Sequence, residues 1–220
     1  MTKPRVVLAT ANPGKLREFR SLLPTCIDLV SAAELGVDLP PETGNTFAEN
    51  ALLKARAVTR VTGSIALADD SGLEVDALGG RPGVHSARFA GENATDAQNI
   101  ALLLEQLRGV PPERRTARFR AVIALVAPDG REALAEGTVE GTIVEAPRGE
   151  HGFGYDPVFL PLSEQRTFAE MTLEEKNRLS HRARALERAV AILREWLGCT
   201  VEDESRTQSE KSSSGRRAHG

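Results

Sequence analysis

Two aspartates stand side by side, Asp69 and Asp70, directly after the apolar stretch 65–68 and before Ser71-Gly72. Adjacent carboxylates at the end of a buried strand repel each other and call for a cation or strong donors. A hard Mg²⁺ ion held by carboxylates and by substrate phosphates would resolve that repulsion. One of the two could also act as general base on a water. The same residues fit an Asx-type turn with solvated charges.

A second cluster is Thr10-Ala11-Asn12-Pro13-Gly14-Lys15, where a strand pattern gives way to a helix pattern. Helix N-termini offer unpaired N–H groups and a partial positive charge, which suit phosphate. Thr10 and Asn12 can donate hydrogen bonds, and Lys15 adds a point charge. The spacing is neither a Walker loop nor a dinucleotide fingerprint. A capped helix with an exposed lysine is the alternative.

Glu42 precedes Thr43-Gly44 in a Pro-rich loop and by itself reads as an exposed loop acid. Glu49 completes a capping box with Thr46. Lys54 is about 140° around the helix from Glu49, so the spacing does not favour a salt bridge between them and is equally compatible with Lys54 pointing into a cleft. Downstream, Gly152-Phe153-Gly154-Tyr155-Asp156-Pro157 flanks an aromatic with glycines. Backbone can approach a ligand there, and a planar base can stack on Phe153. A tight turn with Phe153 in the core fits equally well. Lys176 and Ser180-His181-Arg182 form a dense donor set, or a solvated helix start. His85 and His151 lack metal-ligand spacing and read as loop residues.

These groups need a scaffold. Strand patterns cover residues 6–9, 65–68, 116–127 and 158–160. After a turn at Pro128-Asp129-Gly130, two further strand-like pieces reach about Val144. Helix patterns cover residues 12–23, 46–62, 95–107 and 179–197, each with an apolar face and a capping residue. The order predicts a mixed α/β protein whose sheet is not all parallel. The 220-residue chain is 40% hydrophobic and 27% charged, which supports a folded core. Aromatics make up only 4%, so that core must rest on Ala, Val, Leu and Ile. The formal charge of −3 argues against a protein that coats nucleic acid. No apolar run is long enough to cross a membrane. Two distant cysteines and the lack of a leader pattern point to a reducing cytoplasm. Residues 199–220 are polar and read as a disordered tail after a single folded unit, 1–198.

In this order, the segments TANPGK, ETGNTFAENALLKA, LADDSGLEVDALGGRPGVHSARFAG, GFGYDPVF and EEKNRLSHRARAL resemble one family. It is the non-canonical purine nucleoside triphosphate pyrophosphatases of the inosine triphosphatase type. The likeness covers about residues 5–198. It implies a two-lobed α/β fold with a central substrate cleft, a homodimer, and Mg²⁺ as cofactor. It implies hydrolysis of inosine, deoxyinosine or xanthosine triphosphate to the monophosphate and pyrophosphate, clearing deaminated purines from the nucleotide pool.

The resemblance also implies roles. Thr10, Asn12, Gly14 and Lys15 match triphosphate ligands, and Lys54 faces the phosphates. Asp70 matches the proton acceptor and a metal ligand, with Asp69 and Glu42 at the metal site. Ser71 matches a substrate contact. Phe153, Gly154, Tyr155 and Asp156 match the base wall. Lys176, His181 and Arg182 match contacts to base and phosphates. Members often carry two acids before Thr-Gly, but Pro41 precedes Glu42 here, which implies weaker metal binding. The sequence leaves two rivals: a pyrophosphatase for modified pyrimidine or methylated guanine nucleotides, and a non-catalytic nucleotide-binding module.

Overall fold

Strand β1 (Arg5–Leu8) leads into helix α1 (Pro13–Leu22), and β2 (Asp28–Ser31) returns parallel beside β1. Helix α2 (Phe47–Thr62) then delivers β3 (Ile65–Val75) to the other side of β1, again parallel. Helix α3 (Asp96–Gln106) follows. Strands β4 (Thr116–Val126), β5 (Glu132–Ile143) and β6 (Phe159–Pro161) add on in antiparallel fashion. The single mixed sheet has the order β2-β1-β3-β4-β5-β6. Helices α4 (Leu173–Asn177) and α5 (His181–Leu197) complete the fold. The computed structural model describes residues 3–198; the tail expected at 199–220 lies outside them.

The mixed α/β expectation holds, with four local corrections. The strand expected at 65–68 runs on to Val75, so both aspartates sit inside it rather than after it. The two pieces expected after the Asp129 turn are one strand, continuously paired with β4. β2 and α4 carry too few apolar residues in period to stand out. The last helix, expected from near Leu179, has its start fixed at His181, because the Ser180 side chain accepts from the N–H of Ala183 and caps it.

Strand alternation sorts β3 between two layers. Leu67 joins Leu8, Phe19, Ile123, Leu125, Leu186 and Leu193 in a core under α1 and α5. Ala66 and Ala68 face the other way, against Ala51, Ala55 and Val58 of α2. Small residues there let α2 lie close to the sheet. A third cluster joins Leu73 and Val75 to α3 and to Phe119, Phe159 and Phe168. Leu8, Leu67, Ile123 and Leu125 are all fully buried, each contributing about 1.5–3 kcal/mol by burial. Among the described residues, no helix is long and apolar enough to cross a membrane.

Candidate active site

The site begins where β1 stops. β1 pairs with β3 only as far as Leu8 opposite Leu67. Beyond that point β3 keeps β4 on one edge and opens on the other. The carbonyl of Asp69 on that edge accepts from Lys54 Nζ at 2.9 Å and from Lys15 Nζ at 3.4 Å. Two lysines thus replace the missing strand and gather at one spot.

Lys15 comes from the first turn of α1. Asn12 Oδ1 accepts from the N–H groups of Gly14 (2.8 Å) and Lys15 (3.1 Å), while Leu16 N–H donates to Asn12 O. Pro13 has no N–H to offer. The helix start therefore has no spare backbone donor, contrary to the sequence-based expectation. Phosphate would meet the side chains of Thr10, Asn12 and Lys15 and the helix dipole.

The two aspartates part company. Asp69 faces α1 and α5: its Oδ2 lies 2.6 Å from Lys15 Nζ, 3.4 Å from Arg182 Nε, and accepts from Ser71 Oγ at 3.1 Å. Burial would raise its pKa, but Lys15 and Arg182 outweigh that and hold it well below the carboxylate range. Asp70 faces α2. Burial pushes it up to about 6, against the pull of Lys54 and Lys15, and the charge of Glu42 adds to the rise. Its Oδ2 is buried without a hydrogen-bond partner. Lys54 Nζ lies 4.0 Å from Asp70 Oδ1 and contacts Glu42 Oε1, so the lysine enters the cleft and gathers both acids. Glu42 also sits 3.9 Å from Arg88.

Opposite stands a buried ionic chain. Lys176 Nζ donates to Glu18 Oε1 (2.7 Å) and Asp156 Oδ2 (2.6 Å). Arg182 donates to Glu18 Oε2 (2.9 Å) and Ser71 Oγ (2.7 Å). Asp156 Oδ2 accepts from Phe153 N–H at 3.0 Å and shapes the turn that presents Phe153. Lys176 and Arg182 each lie 5.0 Å from the Phe153 ring centre. Tyr155 is turned into the core, its hydroxyl donating to Ser86 O, and Gly154 N–H donates to Asp96 Oδ2. His181 stacks on Phe119 at 4.7 Å, and neither ring nitrogen has a hydrogen-bond partner. Burial, then Arg182 and Lys176, lower its pKa well below 6.5, so it is neutral.

A cavity of about 280 Å³ joins these groups. Thr10, Asn12, Lys15, Glu42, Lys54, Asp70 and Ser71 line it, as do Phe153, Gly154, Tyr155, Asp156, His181 and Arg182. Asp69 and Lys176 stand behind the wall, and Gly14 touches Phe153 from outside. His85 and His151 are exposed, as expected. Glu18 was not singled out from the sequence, although it is 2% exposed and binds both Lys176 and Arg182. Its signal was a lone acid on the apolar side of α1. Gly137 was also missed. A Cβ there would lie 2.1 Å from His181 O and 2.5 Å from Ala185 N, so the bare backbone of β5 is what seats α5.

The charges bear on a metal. Lys15, Lys54, Lys176 and Arg182 face Glu18, Glu42, Asp69, Asp70 and Asp156 across the site. With Arg88 beside Glu42 the acids and bases are equal in number, so the site has no excess of positive charge for a polyphosphate. Glu42 and Asp70, with the orphaned Asp70 Oδ2, suit a hard divalent cation that takes its other ligands from water and phosphate. No group of three or more His, Cys, Asp or Glu among the described residues is arranged to hold one unaided.

Known proteins carry the same framework. The dITP/XTP pyrophosphatase of Bacillus subtilis is 50% identical over 189 residues, covering 85% of this chain and 96% of that protein. The dITP/XTP pyrophosphatase of Thermus thermophilus is 56% identical over 183 residues, covering 83% of this chain and 88% of that protein. A HAM1 protein from Coxiella burnetii superposes with a TM-score of 0.80 at 46% identity, covering 87% of this chain and 99% of that one. The Ham1 family model matches residues 6–192, which span β1 through α5 and every group in the cavity, and the chain belongs to that family.

Proposed function

We propose that this protein hydrolyses inosine, deoxyinosine and xanthosine triphosphates to the monophosphate and pyrophosphate. One observation carries the reading. A single cavity has an acid with a raised pKa and one unpartnered oxygen beside two lysines at one end, and an aromatic wall with a neutral histidine at the other. The names of the relatives support the substrate class.

Glu42 and Asp70 would hold Mg²⁺, which when bound neutralises the phosphates and orients them. Lys15 and Lys54 stabilise charge on the leaving pyrophosphate. Asp70 accepts the proton of the attacking water as the α–β anhydride bond breaks. Burial raises its pKa in the metal-free site, and a bound Mg²⁺ would keep it ionised and ready to take that proton. Asp69, locked to Lys15 and Arg182, positions those two cations rather than binding metal. Phe153 stacks on the base. His181 and Arg182 read its edge, with Arg182 held by Glu18, Asp69 and Ser71. A carbonyl at the purine 6-position pairs with such donors. The amino group of adenine would leave them unpaired, at a cost of about 1–3 kcal/mol each. The family resemblance extends the reading to a cytoplasmic homodimer.

The deciding experiment is turnover of inosine, xanthosine, adenosine and guanosine triphosphates, with and without Mg²⁺, separating pyrophosphate from orthophosphate. Mg²⁺-dependent pyrophosphate release from the first two is the expected result. Orthophosphate release, or equal use of all four, would overturn the assignment.

A further inference from the structure

Gly14 has no obvious contact to give a ligand. Its N–H is taken by Asn12 Oδ1, and it has no side chain. Yet it is buried within the first turn of α1. A Cβ placed on it would lie 2.6 Å from Phe153 Cδ1 and 2.8 Å from Cε1, closer than such contacts occur. The Phe153 ring therefore rests directly against the backbone of the turn that carries Asn12 and Lys15. Lys176 and Arg182 bear on the ring as well, each 5.0 Å from its centre. Behind the ring is a second cavity of about 150 Å³, lined in part by Gly14, Glu18, Met171 and Lys176. The ring is thus a partition with space on both sides, held by the Asp156 turn and the two cations, and its contact with Gly14 fixes how close it comes to α1.

We infer that Gly14 is a positioning residue: its missing side chain seats the Phe153 ring against the phosphate-binding turn and thereby sets the distance between base and phosphates. The inference rests on the proposed nucleotide reading for its functional consequence, but its geometric core stands apart from it. A methyl group at position 14 would push the ring towards one cavity or the other. The base would lose its platform while Lys15, Lys54 and Asp70 stay in place.

The test is a double-mutant cycle with inosine triphosphate and Mg²⁺. Gly14→Ala should raise KM at least about five-fold, the lower end of a lost base–aromatic stack, with kcat within about two-fold. In a Phe153→Ala background, Gly14→Ala should change KM by no more than about two-fold, since the residue it acts through is gone. Multiplying effects, an unchanged KM, or a loss confined to kcat would overturn the inference. The last would point to the Asn12 cap, whose Oδ1 would lie 3.0 Å from the new Cβ. A crystal structure of nucleotide-free Gly14→Ala gives the second readout. The ring should be displaced from the turn with the Asn12 cap intact, and an unmoved ring would overturn the inference. If the wild-type protein turns over no nucleotide, the functional reading fails while this crystal structure still decides what Gly14 does.

Discussion

Asp69 and Asp70 are neighbours in sequence and point to opposite faces of β3. Asp69 lies 2.6 Å from Lys15 on the α1 and α5 side, while Asp70 faces Lys54 on the α2 side. The pleat separates two carboxylates that a turn would have crowded together. One environment is cationic and keeps its acid charged; the other buries its acid and pushes it up to about 6. One acid can hold cations in place while the other exchanges protons.

Asp70→Asn should lower kcat by at least about 100-fold, the usual scale for a positioned acid–base group. The same change should stabilise the fold. A carboxyl with a pKa of about 6 in the folded chain and 3.8 unfolded opposes folding at neutral pH, by about 1.4 kcal/mol for each tenfold difference in proton affinity between the two states. A raised melting temperature at pH 7.5 in the absence of Mg²⁺, with lost turnover in its presence, is the expected pair of results. A variant that is slower and less stable would contradict the assignment.

His181 predicts acid sensitivity. Its folded pKa lies well below 6.5, so below pH 6.5 the unfolded chain binds a proton that the folded chain refuses. Stability should therefore fall as pH drops from 7.5 to 5. His181→Phe keeps the stack on Phe119 and should flatten that slope by up to about 1.4 kcal/mol per pH unit. Urea unfolding at three pH values measures it, and equal slopes in both proteins would count against a buried neutral ring.

Glu18 holds two buried cations, so Glu18→Ala should cost about 3–5 kcal/mol, as for breaking a buried ion pair from one side. Burial raises its pKa, but Arg182 and Lys176 outweigh this and lower it below 4.5. Its contribution is therefore complete above pH 4.5 and fades as pH falls through the lower folded value. The gap between wild type and variant in denaturant melts should narrow in acid. A gap independent of pH would show that Glu18 matters through packing alone.

Gly137→Ala should push α5 off β5, because the obstacle is main chain and cannot swing aside. We expect a loss of about 1–3 kcal/mol, the range for overpacking. Turnover should fall further than stability explains, since His181 and Arg182 ride on that first turn. Full kcat/KM at an unchanged melting temperature would show that the strand has room to yield.

Much of the site was legible in the chain because it rests on local chemistry. Asn12-Pro13 caps α1, Thr46 and Glu49 close a capping box, and Ser180 starts α5. Each is a short-range hydrogen bond between near neighbours, which residue type and spacing report directly. The family motifs then marked Asp70, Lys15, Phe153 and Arg182, and all of them line or face one cavity. Three things emerged only from the tertiary structure. β3 continues past its aspartates because β4 pairs with it through Val75 opposite Ala117, a partnership separated by many residues. That continuation puts Asp69 and Asp70 on opposite faces, so their roles divide by orientation rather than by mutual repulsion. Glu18 and Gly137 gain their meaning from Lys176, Arg182 and the backbone of α5, elements more than forty residues away in the chain. Local hydrogen bonds depend on sequence neighbours, whereas ion pairing and close backbone approach depend on neighbours in space that only the packed sheet supplies.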